Sequence, residues 1–231
     1  MAGRKFAVLG VGKYGSAIAR ELSAKGAEVI ALDSDGEKIE AIKDDVALAI
    51  QIDCTDKKAL LAQRINEVDA AIVAIGENFE AVVLASANLI DFKIRRVIAR
   101  ASGTNQRRIL EKIGVEEILT PESEVATRVA ERLINPSITA FLELPDEYEI
   151  AEIKAPKGIA DRTLEDINLT NKYNLTLITL KREFEVKNDD GVIKEEHILG
   201  VPRSETVVYE TDTLVVFGTL QSVKRFLEIN A

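Results

Sequence analysis

Near its start the chain reads Lys5-Phe6-Ala7-Val8-Leu9, which runs directly into Gly10-Val11-Gly12-Lys13-Tyr14-Gly15. No other segment restricts the fold as strongly. It is a short apolar strand that stops at a glycine, followed by a G-x-G-x-x-G turn that opens a helix. Each glycine has its own physical reason. Gly10 permits the tight turn, Gly12 lets a phosphate approach the backbone, and Gly15 lets helix and strand pack closely. A phosphate would lie on the helix N-terminus, where free N–H groups and the helix dipole favour anions. Any strand–turn–helix junction tolerates glycines, so the surrounding pattern decides the weight of the motif.

That pattern is regular. Strand-like runs recur at Glu28–Leu32, Leu48–Ile52, Ala70–Ile75, Arg96–Ala101 and Glu117–Leu119. Helical stretches fall between them at Tyr14–Lys25, Gly36–Asp44, Asp56–Arg64, Asn78–Asp91 and Thr104–Ile113. Continuously apolar strands alternating with amphipathic helices predict a six-stranded parallel sheet covered on both faces, the doubly wound α/β architecture. Asp33 closes the second strand, 18 residues after Gly15. A carboxylate there can hold both ribose hydroxyls of a dinucleotide and repel a 2′-phosphate. The alternative is that the glycines serve packing and Asp33 a turn.

From Asn135-Pro136 the rhythm changes. Strands are expected at Glu147–Ile153 and Thr213–Phe217, with helices at Thr163–Leu169 and Leu220–Leu227. A hairpin is expected from Leu175–Val186 and Val192–Leu199, joined by a turn at Asn188-Asp189-Asp190-Gly191. The sequence therefore predicts two domains, 1–134 and a small α+β module over 135–231.

Composition excludes several classes. With 30 Lys+Arg against 39 Asp+Glu the net charge is −9, whereas nucleic-acid binding needs a basic stripe. No apolar run approaches the roughly 20 residues that cross a bilayer. The N-terminus runs straight into a strand pattern, so no signal peptide and a cytoplasmic location are expected. Cys54 is the only cysteine and His197 the only histidine, which removes disulfides, CxxC and HExxH sites and zinc clusters of Cys and His. Catalysis by a Cys–His or Ser–His–Asp arrangement would have to use His197, expected on a solvated strand.

Further candidates fall at strand ends, where the carboxyl edge of such a sheet forms the ligand crevice. They are Asp53-Cys54-Thr55-Asp56, Ala74-Ile75-Gly76-Glu77-Asn78 and Arg100. Structural readings stand beside them: Thr55 or Asp56 caps a helix, Asn78 starts another, Arg100 neutralises a carboxylate, and Cys54 is a small buried hydrophobe. In Thr120-Pro121-Glu122 a helix start accounts for all three residues: an N-cap, a first-position proline and a first-turn acid.

Together these pieces resemble the RCK proteins (regulators of potassium conductance), and specifically the KtrA/TrkA-type subunits of bacterial potassium channels and transporters. The resemblance runs through Phe6–Gly15, Val73-Ala74-Ile75-Gly76-Glu77-Asn78, Leu110-Glu111-Lys112-Ile113-Gly114, Thr120-Pro121-Glu122, Leu164–Thr176 and Asp212–Gly218. It implies a Rossmann-like nucleotide-binding domain, a second RCK module and no enzymatic activity. It also implies homodimers assembled into an octameric ring beneath a membrane-embedded potassium-translocating subunit, with no insertion of this chain into the membrane. Carried over by motif, Gly10, Gly12, Lys13, Tyr14 and Gly15 would hold phosphates of ATP or ADP and Asp33 the ribose. Asp53, Cys54 and Thr55 would flank the adenine, with Ala74, Ile75 and Gly76 as a wall and Arg100 as a phosphate contact. Glu122 would support Mg²⁺ or Ca²⁺ at the γ-phosphate across the dimer.

Lys13 departs from the arginine usual in that loop; it keeps the charge but loses the bidentate fork. NAD or NADH is the alternative ligand, as in TrkA relatives. The second module would bind a further regulator, cyclic di-AMP in some members, or serve only to dimerise. Two readings from other classes remain: an NAD(H)-dependent oxidoreductase, and a free-standing nucleotide or redox sensor using Cys54.

Overall fold

The computed structural model describes residues 3–188 and 191–231. The chain divides into two compact units, Met1–Glu124 and Val125–Ala231. This division falls inside a helix that ends where the sequence pattern places the boundary, at 134/135.

In the first unit β1 (Lys5–Leu9), α1 (Lys13–Ala24), β2 (Glu28–Asp33), α2 (Gly36–Glu40), β3 (Leu48–Gln51) and α3 (Lys57–Ala62) follow in order. Then come β4 (Ala70–Val73), α4 (Phe79–Asp91), β5 (Val97–Arg100), α5 (Thr104–Lys112), β6 (Glu117–Leu119) and α6 (Pro121–Ile134). The six strands form one sheet in the order β3-β2-β1-β4-β5-β6, and every pairing is parallel. The expected doubly wound architecture is therefore present.

Its cause is visible strand by strand. Ala7, Leu9, Ile30, Leu32, Ala71 and Val73 enter one core cluster, and the residues between them, Val8, Val29, Ala31 and Ile72, enter another. Side chains alternate across a strand, so both faces of the sheet need an apolar cover. Ala19 of α1 joins the second cluster; Leu60, Leu89 and Leu110, from α3, α4 and α5, join the first. The strand order reverses between β1 and β4, which opens a crevice at their carboxyl ends.

The second unit holds β7 (Ile138–Glu143), β8 (Tyr148–Lys154), β9 (Arg162–Thr163), α7 (Leu164–Ile167), α8 (Leu169–Tyr173) and β10 (Thr176–Asn188). β11 (Gly191–Ile198), β12 (Val207–Val208), β13 (Thr213–Thr219) and α9 (Leu220–Asn230) complete it. Five strands form an antiparallel sheet in the order β11-β10-β13-β8-β7, and β9 pairs with β12 separately. β7, unassigned in the sequence pattern, pairs with β8 through Phe141↔Ala151 and Leu142↔Ile150. The two flanking prolines, Pro136 and Pro145, make that stretch read as connection, yet neither lies within the strand. The hairpin of β10 and β11 forms with Lys181↔Ile198 and Phe184↔Glu195 in register; the expected turn at its tip lies outside the described residues.

One position in this unit breaks the apolar pattern. On β8 the residues facing the core are Glu149, Ala151 and Ile153. Alternation thus carries the Glu149 carboxyl inward, where the residue is 5% exposed and its Oε1 has no hydrogen-bond partner among the described residues. Burial raises its pKa, Glu131 and Glu143 add to the rise, and Lys224 opposes it. The folded state therefore binds this proton more tightly than the unfolded chain. The resulting stabilisation is complete below the unfolded carboxylate pKa and is lost as pH rises through the higher folded value. Glu149→Gln should raise Tm at pH 7 by roughly 2–4 °C, the shift about 1 kcal/mol gives in a chain of this size. The difference from the parent should shrink as pH falls toward the unfolded glutamate pKa of about 4.3, read by thermal unfolding of both proteins across that range. A lower Tm at pH 7 would contradict this account.

Candidate functional site

The turn after β1 is built by close contacts. Gly10 has φ +89°, and a Cβ there would come within 2.8 Å of Ile75. A Cβ on Gly15 would lie 1.9 Å from the Gly10 carbonyl oxygen, so α1 reaches this depth only with glycine at that position. Gly12 differs. Its φ of −63° suits any residue, and a Cβ there would meet no described atom within 4 Å. Gly12 is also the N-cap of α1 and offers no side-chain acceptor to the first N–H groups. Open space beside uncapped helix N–H groups suits an anion.

Asp33, at the end of β2, is buried. Its Oδ2 accepts from the Val11 N–H at 2.8 Å and its Oδ1 from the Asp35 N–H at 3.0 Å. One carboxylate thus fixes both the glycine loop and the turn after β2, and its remaining lone pairs can accept further hydrogen bonds. Beyond β3, Asp53 accepts from the backbone N–H of Thr55 at 2.9 Å and from its hydroxyl at 2.8 Å. Those two donors hold the Asp53 carboxyl below the usual carboxylate range. Asp56 caps α3 and Asn78 caps α4, as their capping readings require.

These strand ends surround an open crevice of about 1210 Å³. Gly10, Gly12, Lys13, Tyr14, Asp33, Asp53, Cys54, Thr55, Ala74, Ile75, Gly76, Arg100 and Glu122 all line it. Gly15 does not, because its place is beneath the loop against Gly10, and neither does Asp56, which caps α3. Arg100 ends β5, and its guanidinium lies 5.6 Å over the ring of Tyr14, in the first turn of α1. Burial and the Glu124 carboxylate push the Tyr14 phenol up, against the opposing pull of Arg100. The Arg100 Nη2 donates to Glu122 Oε1 at the start of α6. Two residues expected to meet the ligand separately are therefore paired with each other.

The TrkA-N domain family model matches residues 6–121. Over 223 residues the chain is 30% identical to Ktr system potassium uptake protein C of Bacillus subtilis (strain 168), covering 96% of each. The chain belongs to the KtrA/TrkA-type RCK family. Ktr system potassium uptake protein A of the same organism is also 30% identical, over 96% of this chain and 95% of that protein. Among solved structures, the GsuK channel bound to NAD aligns with a TM-score of 0.62 at 16% identity, covering 99% of this chain and 39% of the channel chain. The RCK chain thus spans less than half of that channel polypeptide, and the likeness is one of fold.

The crevice of this RCK chain also takes in Ser34, Lys38, Glu80, Ala81 and Leu84, which the motifs did not single out. Ser34 adjoins Asp33, already marked at the end of the second strand, and adjacency is the available signal. Lys38 and Leu84 lie within α2 and α4, where only the folded backbone shows that they reach the opening. Among the described residues, no group of three or more His, Cys, Asp or Glu side chains is arranged to hold a metal ion, and the lining contains no histidine. His197 sits on β11, exposed, with Glu195 3.5 Å away.

Cys54 is 5% exposed. Burial, reinforced by Asp33 and Asp53, pushes its thiol up to about 12. A thiol so rarely ionised is a poorer nucleophile than free cysteine. Native protein at pH 8 should react with a thiol-specific reagent on the order of a hundredfold more slowly than free cysteine, whose pKa is about 8.5. Equal rates, followed by absorbance, would contradict the buried assignment.

Proposed function

We propose that this chain is the nucleotide-binding regulatory subunit of a potassium uptake system, gating a membrane-embedded potassium-translocating partner without turning over a substrate. One observation carries the reading. A single crevice at the switch point of the sheet collects the glycine loop, Asp33 and Arg100, in a chain alike along its length to Ktr potassium uptake subunits. The donor set suits a nucleotide. The uncapped α1 N-terminus, Lys13 and Arg100 would hold phosphates, and Asp33 a ribose. Asp53, Cys54 and Thr55 would flank the adenine, with Ala74, Ile75 and Gly76 as a wall.

The ligand we favour is ATP or ADP, with NAD or NADH as the alternative. Adenine nucleotides gain support from the loop, where Tyr14 keeps the aromatic common in KtrA loops. NAD gains support from the NAD-bound GsuK channel of the same fold. A Mg²⁺ or Ca²⁺ ion accompanying ATP would use the Glu122 carboxylate, the phosphates and a second copy of the chain. In this reading the chain works in the cytoplasm, at the inner face of the membrane, as homodimers within an octameric ring. Residues 1–134 bind the nucleotide. Residues 135–231 dimerise, with cyclic di-AMP as the regulator to test there. Among the described residues no helix is long and apolar enough to cross a membrane.

Gating then follows from differential affinity. A nucleotide moves the ring between shapes only as far as it binds one shape more tightly; tenfold preference is worth about 1.4 kcal/mol. Thermal unfolding with ATP, ADP, NAD⁺ or NADH, each with and without Mg²⁺, tests the reading. A ligand at a hundred times its Kd adds about 2.7 kcal/mol of stability. ATP and ADP should both raise Tm, with a Mg²⁺ effect for ATP alone that Glu122→Gln removes. A shift with NADH and none with ATP or ADP would replace the adenine-nucleotide reading by the NAD(H) one.

A further inference from the structure

The Arg100 side chain is 19% exposed and its ion-pair partner Glu122 is 56% exposed. They differ in how firmly they are held. Arg100 ends a strand of the sheet, with the Tyr14 ring on one side and Gly76 so close that a Cβ there would lie 3.1 Å from the guanidinium. Glu122 stands in the first turn of α6, where the helix dipole favours a carboxylate whether or not Arg100 is its partner. The anion of this pair can therefore leave, whereas the cation is fixed.

The pairing is also incomplete. A guanidinium offers a planar fork of donors suited to two parallel hydrogen bonds. Here Nη2 alone meets Glu122, and the buried Nε has no acceptor among the described residues. Buried donors without acceptors are rare, and each calls for an explanation such as a missing ligand or water. A phosphate group, with three acceptor oxygens, can engage Nε and Nη2 together. Its approach is prepared, because Arg100 lies over Tyr14 in the first turn of α1, beside the uncapped N–H groups.

Resting on the nucleotide reading above, we infer that Glu122 is an internal competitor of the nucleotide for Arg100. Its carboxylate neutralises the guanidinium when no nucleotide is bound, and a phosphate takes its place on binding and releases it. Glu122 then sets a threshold. A ligand lacking a phosphate that reaches Arg100 gains nothing by displacing it, whereas ADP exchanges one anion for a better-fitting one. The released carboxylate is the same group that would serve a divalent cation beside ATP, so the two roles are successive.

Calorimetric titration of the full chain with ADP and with adenosine, in the presence of a chelator so that no divalent cation takes part, tests the inference. Glu122→Gln removes the competing charge at an exposed position while keeping the side chain's shape. ADP should bind it roughly two- to fivefold more tightly than the parent chain, the range expected for a partly exposed ion pair, and adenosine equally. In the Arg100→Gln background the same substitution should leave ADP affinity unchanged. Equal or weaker ADP binding by Glu122→Gln, or a gain that persists without Arg100, overturns the competition and leaves the nucleotide reading standing. If neither ligand binds either protein, the nucleotide reading itself fails and this inference with it.

Discussion

At the end of β1 the Gly10 carbonyl oxygen occupies the place where any side chain on residue 15 would begin, 1.9 Å from an ideal Cβ. The first unit is arranged around that approach. Because α1 can come so close, its uncapped N-terminus stands directly over the edge of the sheet. Gly10 donates its N–H to the Leu32 carbonyl at 2.7 Å, and the Ala74 N–H donates to Leu9 at 2.7 Å, so β2 and β4 are drawn to the same turn. Any residue larger than glycine at 10 or 15 would move the helix away and take its uncapped N-terminus with it.

Asp33 extends the same constraint outward. A buried carboxylate needs hydrogen-bond donors, and it finds them in the N–H groups of Val11 and Asp35. The loop that would receive phosphates and the residue that would receive a ribose therefore hold each other in place. On the far side of the crevice Arg100 is held at the end of β5 against the Tyr14 ring and Gly76, and its ion-pair partner among the described residues is the exposed Glu122. One half of the site is fixed by backbone hydrogen bonds; the other carries an ion pair whose anion would exchange for a phosphate in the reading proposed above. Such a division suits a regulatory site, where some contacts must hold position and others must respond.

Much of this was legible in the sequence because the parallel half obeys short-range rules. Strands buried on both faces read as unbroken apolar runs, and the glycines and Asp33 fall at spacings dictated by one turn and one helix. What stayed hidden depends on contacts between distant residues. The partner of Arg100 lies 22 positions away, so a general expectation that it meets a carboxylate could not name Glu122. Lys38 and Leu84 reach the crevice from helices whose rotation only the assembled sheet fixes. In the second unit β7 was lost between two prolines, although its pairing with β8 leaves both outside the ladder. The inward position of Glu149 contradicts composition-based expectation altogether, since acids are seldom buried without a partner.

The central claim is that the glycine loop is shaped for a ligand as well as for packing, and Gly12 separates the two. Its backbone suits an ordinary residue and a Cβ there would meet only open space, so folding gives no reason for glycine. Gly12→Ala should be measured for Tm and, by calorimetry, for ADP affinity. The account predicts a Tm within about 4 °C of the parent chain, since substitution at a compatible glycine changes stability by only about 0.4–1 kcal/mol. It also predicts ADP binding at least about tenfold weaker, a loss of about 1.4 kcal/mol. A variant that keeps both its Tm and its ADP affinity would contradict the account, because the open space beside α1 would then hold no phosphate.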